Sequence, residues 1–278
     1  MSTDTERRML RVIDHIHDNP AGDLSLDALA DVAAFSRFHW HRVYRAVTGE
    51  TAAQTVRRMR LHKAAIALAQ GTDPVQRIAV QVGYADVSTL TRAFSDAYGM
   101  PPQAFRNRGE LRPFPAHQPP KGPLMYPVTI RTDATRRLAA VPHKGAYHEI
   151  NRAFEKLFAT IAARGMMRVT NLMVGVYYDD PAATPAPDLR SHAGTIVGDD
   201  VALAAPLEEV RLPAGRHAVL TYTGPYAGLP AAYDQLYGIW LPQSGEVPAD
   251  TPPFEVYLNS PMDVPPEKLV TEICMPLK

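Results

Sequence analysis

The chain has 278 residues, 46% of them hydrophobic, and a formal net charge of zero, so it can fill two domain cores and does not attract nucleic acid through its overall charge. Its one cysteine, Cys274, excludes an intramolecular disulfide and is typical of a reducing compartment. The N-terminal residues lack the apolar segment of a signal peptide, and no uncharged run is long enough for a membrane span. We therefore expect a soluble cytoplasmic protein with no membrane partner.

The N-terminal part of the chain begins with helical patterns. A leading helix over residues 5–19 carries Met9, Ile13 and Ile16 on its apolar face. Ser25 is a suitable N-cap for the short helix that follows. This part of the chain is therefore predicted to be all-α.

Two segments, 36–49 and 86–99, repeat one helical pattern 50 positions apart. Each begins with an N-cap residue, Ser36 or Asp86, and ends at a glycine that suits the left-handed position after a helix. A short helix precedes each segment, and a long helix over residues 51–71 joins the two halves. A short helix, a tight turn and a second helix make a helix-turn-helix unit, which is predicted to occur twice.

The outward faces of the two segments carry polar residues at matching positions. From Ser36 to Lys63 the chain has seven Lys or Arg residues and one acidic residue, Glu50. One polar stripe alone is usually a solvated helix surface. Two stripes in the same register, one with Phe38 between basic residues, favour a surface that recognises a partner.

Residues 77–106, with the sequence RIAVQVGYADVSTLTRAFSDAYGMPPQAFR, resemble the signature of the AraC/XylS family of transcription regulators, and the resemblance extends over residues 5–108. It implies that the second helix of each unit enters the major groove of double-stranded promoter or operator DNA, at sites about 34 Å apart. RNA polymerase is the expected protein partner. The residues implied to contact DNA are Arg37, Phe38, His41, Arg42, Arg45, Ser88, Thr91 and Arg92. The candidates for phosphate contacts are Ser36, His39, Arg57, Arg58 and Arg60.

The two implied recognition helices differ in their chemistry. Arg42 and Arg92 occupy corresponding places, and each suits a bidentate contact with guanine worth about 1–3 kcal/mol of discrimination. Val87 and Ser88 give the second helix less hydrogen-bonding reach. We therefore expect the second helix to contact DNA weakly or through apolar contacts.

A proline-rich segment divides the chain, with five prolines in residues 111–123. We expect a DNA-binding domain over 1–110, a linker over 111–124 and a second domain over 125–278. The second domain also repeats: Gly145-Ala146-Tyr147 aligns with Gly224-Pro225-Tyr226. Each repeat follows a strand-helix-strand-strand pattern, so two pseudo-symmetric β-α-β-β units are predicted to form an α+β domain. Its antiparallel sheet carries both helices on one side.

The segment PFEVYLN, residues 253–259, is predicted to be a strand with a glutamate among apolar neighbours. The repeat aligns Glu255 with Gly175, so the carboxylate is present in one unit only. This asymmetry indicates a role other than stabilising the fold. The alternative is a structural carboxylate satisfied by tyrosine hydroxyls or buried water, among tyrosines that pack the core.

The second domain resembles the GyrI-like small-molecule-binding domain, on strings that include WLPQSG, FEVYLNSP and PPEKL. The resemblance implies that the glutamate lies in an aromatic pocket and meets cationic ligands, through charge pairing and cation–π attraction. The effector is then a small aromatic or cationic molecule, for which a lipophilic cation is well suited. The implied effector-binding residues are Glu255, Tyr257, Tyr147, Tyr177, Tyr226 and Trp240.

Three functions remain open at the level of sequence. The first is an effector-responsive transcription regulator, with no catalytic residues and no enzymatic activity. The second is a hydrolase of electrophilic small molecules, with Glu255 as general base. The third is a constitutive DNA-binding regulator whose second domain binds another protein. No cofactor is expected, and no metal site either, because His39 and His41 are two positions apart and do not share a helix face.

Overall fold

The computed structural model describes residues 4–108, 125–166 and 170–278. The predicted linker over 111–124 lies outside the described residues. The described part of the N-terminal region is all-helical, as expected. Its helices are α1 (Asp4–Asp18), α2 (Leu26–Ala33), α3 (Trp40–Thr48), α4 (Ala52–Gln70), α5 (Val75–Gln81), α6 (Val87–Tyr98) and α7 (Pro102–Arg108).

Side-chain caps fix where several of these helices begin. Ser25 Oγ accepts a hydrogen bond from Ala28 N at 3.3 Å, and Asp86 Oδ1 accepts one from Thr89 N at 2.8 Å. Thr51 and the third residue of α4 form a reciprocal capping box. These caps satisfy backbone donors that have no partner within the helix. The starts of α2, α4 and α6 therefore follow directly from the sequence.

The first recognition helix begins later than predicted. Ser36 was expected to cap it, but α3 starts at Trp40. Ser36 Oγ accepts from Phe38 N at 3.2 Å, and Ser36 O accepts from Trp40 N at 2.9 Å, so a turn precedes the helix. Arg37, Phe38 and His39 consequently lie in that turn and not on the helix.

The C-terminal region forms one eight-stranded antiparallel sheet. The strands are β1 (Val128–Asp133), β2 (Arg136–Lys144), β3 (Thr170–Tyr177), β4 (Arg190–Val197), β5 (Glu208–Leu212), β6 (Gly215–Thr223), β7 (Phe254–Tyr257) and β8 (Val270–Pro276). The helices are α8 (Asn151–Ala163), α9 (Leu229–Gln235) and α10 (Leu241–Ser244), and a π-helical turn (Leu236–Trp240) joins the last two. The strand order is β1-β6-β8-β7-β3-β4-β2-β5.

The sheet order confirms the predicted internal symmetry and adds one feature to it. The central pair β7 and β3 relates two equivalent halves of the sheet. Each β-α-β-β unit is preceded by an additional strand, β1 or β5. Each additional strand pairs with the other unit, β1 with β6 and β5 with β2. The two units are thus joined by strand exchange at both edges.

The two faces of the curled sheet have different coverings. Alternate residues point to opposite faces of a strand, and β7 follows this rule. Phe254 and Val256 are buried in a cluster formed by strand residues, which includes Cys274. Glu255 and Tyr257 point to the opposite face, where the helices pack. The expectation that both helices lie on one side of the sheet is confirmed.

The first helix-turn-helix unit shares a hydrophobic core with the C-terminal domain. Trp40 and Val43 of α3 belong to the same buried cluster as Leu236, Tyr237 and Leu241. The second unit, formed by α5–α7 with the C-terminal part of α4, has a separate core. The first unit is therefore docked on the C-terminal domain, and the second extends from it. In the part of the chain that the structure describes, every helix is too short or too polar to cross a bilayer.

Candidate functional site

Glu255 lies at the centre of a cluster of tyrosines on the helix-covered face of the sheet. Its side chain is buried. Tyr233 Oη, from α9, donates a hydrogen bond to Glu255 Oε1 at 3.0 Å, and Tyr257 Oη donates to Oε2 at 2.8 Å. Tyr177 Oη is 2.8 Å from Tyr257 Oη. Because the hydroxyl hydrogen of Tyr257 is used in its hydrogen bond to the carboxylate, Tyr177 is the donor in that pair.

Further aromatic rings extend this cluster on both sides. The ring of Tyr147 lies 4.8 Å from that of Tyr177, and the ring of Tyr226 lies 5.5 Å from that of Tyr257. Phe154, from α8, contacts Tyr257 with its ring centroid 5.7 Å away. Tyr226 is 37% exposed, so the cluster reaches solvent on its side. The result is a carboxylate surrounded by aromatic walls.

Burial dominates the electrostatics of Glu255. It raises the pKa of the carboxyl above its ordinary value of 4.5, although the hydrogen bonds from Tyr257 and Tyr233, the nearby Tyr177 hydroxyl and the charge of Arg42 act to lower it. Burial also raises the pKa values of these three tyrosines, so they stay protonated and act as donors. Neutral hydroxyls satisfy the oxygen atoms but do not cancel the charge. A cation bound at this site would supply the positive charge that the hydroxyls lack.

Arg42, from the first recognition helix, reaches the edge of the same cluster. Its Cζ lies 5.4 Å from the ring centroid of Tyr233 and 5.6 Å from that of Tyr237. Its hydrogen bonds go to carbonyl oxygens, that of Phe38 at 3.0 Å and that of Asp179 at 2.9 Å. Burial acts to lower the pKa of Arg42, but Tyr237, Asp180 and Tyr233 outweigh it and the net shift is upward. The buried guanidinium therefore stays charged.

The turn before α3 is bonded to the C-terminal domain as well. His39 Nε2 lies 2.8 Å from Thr251 O and Nδ1 lies 2.7 Å from Tyr237 Oη. A carbonyl only accepts, so Nε2 carries the proton and Nδ1 accepts from the tyrosine. Burial, together with the charge of Arg42, lowers the pKa of His39 to about 3, so the ring is neutral. Ser36 Oγ donates to Asp250 Oδ1 at 3.0 Å.

The predicted DNA-contacting residues of the two units have different surroundings. The sequence predicted an exposed polar stripe on each recognition helix. For the first, this is wrong in the docked arrangement: Ser36, His39 and Arg42 are buried. Arg45 is ion-paired to Asp234 of α9. Phe38, His41 and Arg45 are partly exposed, and Arg37 is exposed.

The second recognition helix presents its polar stripe to solvent. Ser88 and Arg92 are exposed and Thr91 is partly exposed. A groove of about 580 Å³ runs beside this stripe, lined by residues of α4 and α6 that include Arg57, Arg60 and Arg92. The helix for which the sequence predicted the weaker DNA contact is therefore the accessible one.

The three arginines of α4 do not share one role. Arg57 is exposed and lies 3.5 Å from Asp96 across the groove. Arg58 instead donates to Glu50 from Nε at 3.1 Å and from Nη2 at 2.6 Å, and Glu50 is buried. Arg60 Nε donates to Pro20 O at 2.7 Å. Only Arg57 keeps an exposed side chain that suits the predicted phosphate contact.

Most of the predicted effector-binding residues meet in the structure. Ring contacts and hydrogen bonds join Tyr147, Tyr177, Tyr226 and Tyr257 to Glu255, as described above. Trp240 packs instead against the core shared by the two domains.

Three residues at the aromatic cluster, Tyr233, Phe154 and Arg42, were not among the predicted effector-binding residues. Tyr233 donates directly to Glu255. It aligns with Phe154 in the internal repeat, and both lie in the cluster, so the repeat contained this signal. Arg42 had no comparable signal, because it comes from the other domain.

Residues 126–278 match the family described as GyrI-like small molecule binding domain. The chain belongs to this family. Residues 29–108 match a helix-turn-helix domain. Both resemblances inferred from the sequence are thereby confirmed.

Two curated relatives match the N-terminal part of the chain. It is 28% identical over 95 residues to the multiple antibiotic resistance protein MarA of Escherichia coli, covering 34% of this chain and 75% of the relative. It is 34% identical over 96 residues to the transcriptional regulator Rob of Salmonella typhimurium, covering 34% of this chain and 33% of the relative. The match thus spans about a third of the length of Rob.

Among solved structures, the C-terminal domain of EcmrR is similar, with 16% sequence identity and a TM-score of 0.46. The similarity covers 55% of this chain and 98% of that one.

Taken together, the two family matches give the domain composition of the molecule. A helix-turn-helix DNA-binding domain is combined with a GyrI-like small-molecule-binding domain. The chain is thus a transcription regulator of the effector-responsive kind. Within the described ranges, no group of three or more His, Cys, Asp or Glu side chains is arranged to hold a metal ion.

Proposed function

We propose that the chain regulates transcription in response to a lipophilic aromatic cation bound at Glu255. The observation that carries this proposal is the buried carboxylate among Tyr177, Tyr233 and Tyr257, whose hydroxyls satisfy its oxygen atoms without neutralising its charge. A cation against an aromatic face gains about 0.5–1 kcal/mol at an exposed site and about 2 kcal/mol or more when it is desolvated. An aromatic or apolar body on the cation would pack against rings such as those of Tyr147 and Tyr226.

The DNA-binding part of the proposal rests on the exposed stripe of α6 and the groove beside it. Ser88, Thr91 and Arg92 are suited to contacts with base edges, and Arg57 to a contact with phosphate. Arg37, Phe38, His41, Arg42 and Arg45 belong to the same proposal once α3 is available. RNA polymerase is the proposed protein partner, because a regulator changes how polymerase engages a promoter. The cytoplasmic location also stays a prediction.

The test is a titration of the full chain with tetraphenylphosphonium chloride, followed by calorimetry. We expect wild type to bind this cation and Glu255→Gln to bind it at least about tenfold more weakly, because the neutral amide removes the charge pairing. Glu267→Gln, an exposed glutamate in the same domain, is the charge-matched control and should bind like wild type. Triphenylphosphine oxide, which is aromatic but uncharged, should bind weakly to all three proteins.

Equal affinities of wild type and Glu255→Gln for the cation would contradict the assigned role of the carboxylate. Preference for the uncharged compound would contradict the ligand class.

A hydrolytic function is the second candidate, and the raised pKa of Glu255 favours it, because a general base works best with a pKa near the operating pH. The helix-turn-helix domain favours sensing over turnover. Incubation of the full chain with a cyclopropane-bearing electrophile separates the two functions. Sensing predicts no more product than one equivalent of protein, whereas product over many turnovers, abolished in Glu255→Gln, would establish catalysis.

A further inference from the structure

Tyr233 contacts two charged side chains at once. The hydroxyl of Tyr233 donates to Glu255, and the face of its ring lies 5.4 Å from the guanidinium carbon of Arg42. Arg42 also lies against the ring of Tyr237. A guanidinium is a flat cation that stacks on aromatic faces as an aromatic cation would. The first recognition helix therefore inserts a cation of its own at the edge of the effector site.

We propose that Arg42 acts as an intramolecular ligand of the aromatic site, and that an external cation displaces it and so releases the first recognition helix for DNA. This inference rests on the proposed function, because it assumes that the Glu255 cluster binds a cation. It adds a mechanism by which cation binding changes the affinity for DNA.

A bound external cation and the docked Arg42 repel each other. A cation placed between Glu255 and the ring of Tyr233 would lie close to the positive charge of Arg42, in a buried region where screening by water is weak. Both cations would also compete for the same ring. The docked position of Arg42 and a bound external cation therefore disfavour each other.

Docking also keeps the first helix-turn-helix unit away from DNA. In the docked arrangement His39 is bonded to Tyr237 and Thr251, and Arg45 is ion-paired to Asp234. Arg42 is buried against the C-terminal domain. These side chains cannot reach the edges of bases while those contacts persist. Base contacts by the first unit consequently require α3 to leave the C-terminal domain.

The polar contacts of the docking interface are weak. Arg42 donates hydrogen bonds to two neutral carbonyl oxygens, and among the described residues no carboxylate lies within ion-pair distance of it, although the charge of Asp180 attracts it. The ion pair of Arg45 and Asp234 is about half exposed, with side-chain exposures of 40% and 50%, and pairs of this kind contribute little. Polar contacts of this strength can be exchanged for a ligand. The apolar contacts of Trp40 and Val43 with the C-terminal domain oppose release, so the bound cation and DNA together have to offset their loss.

Linkage then gives the direction of the effect. If the cation and DNA both favour the released state, each raises the affinity for the other by the same factor. The apparent affinity of each also depends on the fraction of molecules already released. Weakening the docked state should therefore strengthen the binding of both.

Substitutions on the C-terminal domain test this without altering any DNA-contacting side chain. Asp234→Asn removes the ion pair with Arg45, and Asp250→Asn weakens the bond from Ser36. Asp199→Asn, whose side chain is 87% exposed, is the matched control. The ligand probe is tetraphenylphosphonium chloride, and the DNA probe is a duplex enriched from a random-sequence pool by the full chain in the presence of that cation.

For wild type we expect the cation to tighten DNA binding, measured by fluorescence anisotropy, by a factor on the order of 5 or more. DNA should tighten cation binding by the same factor. Asp234→Asn and Asp250→Asn should bind both probes more tightly than wild type and respond less to the other ligand, whereas Asp199→Asn should behave like wild type. Arg42→Gln, tested for cation binding alone, should also bind more tightly, and thermal unfolding of each variant verifies that it is folded.

The outcomes separate this inference from the proposed function. Cation binding that is abolished by Glu255→Gln but unchanged in Arg42→Gln and Asp234→Asn, with no effect on DNA affinity, would overturn the inference and leave the proposed function standing. Failure of every protein to bind the cation would overturn both. Weaker DNA binding in the presence of the cation would also overturn the inference, because it reverses the sign of the coupling.

Discussion

Gly175 and Glu255 lie directly opposite each other on the paired strands β3 and β7. They are also the two positions that the internal repeat aligns. A Cβ atom on Gly175 would lie 2.9 Å from the hydroxyl oxygens of both Tyr177 and Tyr257. The glycine therefore makes room for the tyrosine pair that supports the carboxylate.

Substitution of this glycine should impair the site. Gly175→Ala forces the two hydroxyls apart, so we expect weaker binding of tetraphenylphosphonium and a stability loss of about 1–3 kcal/mol from overpacking. Calorimetry and urea unfolding measure the two effects.

Gly194→Ala is the control for Gly175→Ala, because its Cβ would meet Ala140 at 3.3 Å in the same sheet, away from the tyrosines. It should lose stability without losing ligand affinity. Equal ligand affinity in the two variants would contradict the assigned role of the tyrosine pair.

Cation affinity should depend on pH through Glu255. Burial raises the pKa of this carboxyl above 4.5, so protonation begins at a higher pH than in an ordinary glutamate. We expect affinity for tetraphenylphosphonium to fall as the pH is lowered through the raised pKa toward 4.5, because the neutral acid cannot pair with a cation. Glu255→Gln should show a flat profile over this range.

The raised pKa of Glu255 also affects stability, but here lowering the pH is favourable whereas it weakens cation binding. Between 4.5 and the raised pKa, the folded state binds more protons than the unfolded state at this position. The contribution of Glu255 to the free energy of unfolding therefore falls as the pH rises through this window. Urea unfolding of wild type and Glu255→Gln at several pH values measures the difference, which should shrink toward acid pH. A constant difference would contradict the pKa assignment.

Glu50 should be a structural residue of the first helix-turn-helix unit. It is buried and accepts hydrogen bonds from Arg58 and from Thr55 Oγ1 at 2.8 Å. We expect Glu50→Gln to lower the free energy of unfolding by about 2 kcal/mol, since it weakens charge-assisted bonds at a buried group. Glu267→Gln should change it little. Arg58→Ala removes the partner of Glu50, so it should also lower the free energy of unfolding. A large change in the salt dependence of DNA binding would contradict this structural role of Arg58.

Arg92 and Arg57 should affect DNA binding in different ways. Arg92 lies on the exposed stripe of α6, so Arg92→Ala should reduce discrimination at one base pair by about 1–3 kcal/mol. Arg57→Ala should weaken binding to all sequences. It should also make the negative slope of log affinity against log salt concentration less steep by about one unit. Anisotropy titrations of matched and mismatched duplexes at several salt concentrations compare the two. A uniform loss for Arg92→Ala would contradict base contact.

The sequence predicted the elements whose cause is local. Capping residues such as Ser25 and Asp86 act on backbone donors within one turn, so they locate helix starts without knowledge of the fold. Alternation along PFEVYLN placed Glu255 and Tyr257 on one face of a strand for the same reason. The internal repeat then gave the symmetry of the sheet, because aligned segments fold alike.

The contacts made by Arg42 could not be predicted in this way. Its partner Asp179 is 137 positions away in the chain, and helical periodicity reports a polar face without reporting what covers it. Arg58 was assigned to phosphate for a similar reason, since composition does not reveal that Glu50 lies within reach.

The asymmetry between Glu255 and Gly175 also has a different meaning in three dimensions. The two positions face each other, so a second carboxylate would place a like charge directly opposite the first. A second carboxylate at this place in the sheet would therefore be destabilising whatever the role of the first. The asymmetry therefore does not by itself distinguish a ligand site from a structural residue, and the electrostatics of Glu255 carry that distinction instead.

The exchange of β1 and β5 makes the two repeated units mutually dependent. Each unit borrows an edge strand from its counterpart, so neither is a complete sheet by itself. Opening one half removes a row of backbone hydrogen bonds from the other half, and the whole C-terminal region should unfold in a single cooperative transition. A cut in the connection between β4 and β5 would accordingly give two fragments that fold together or not at all.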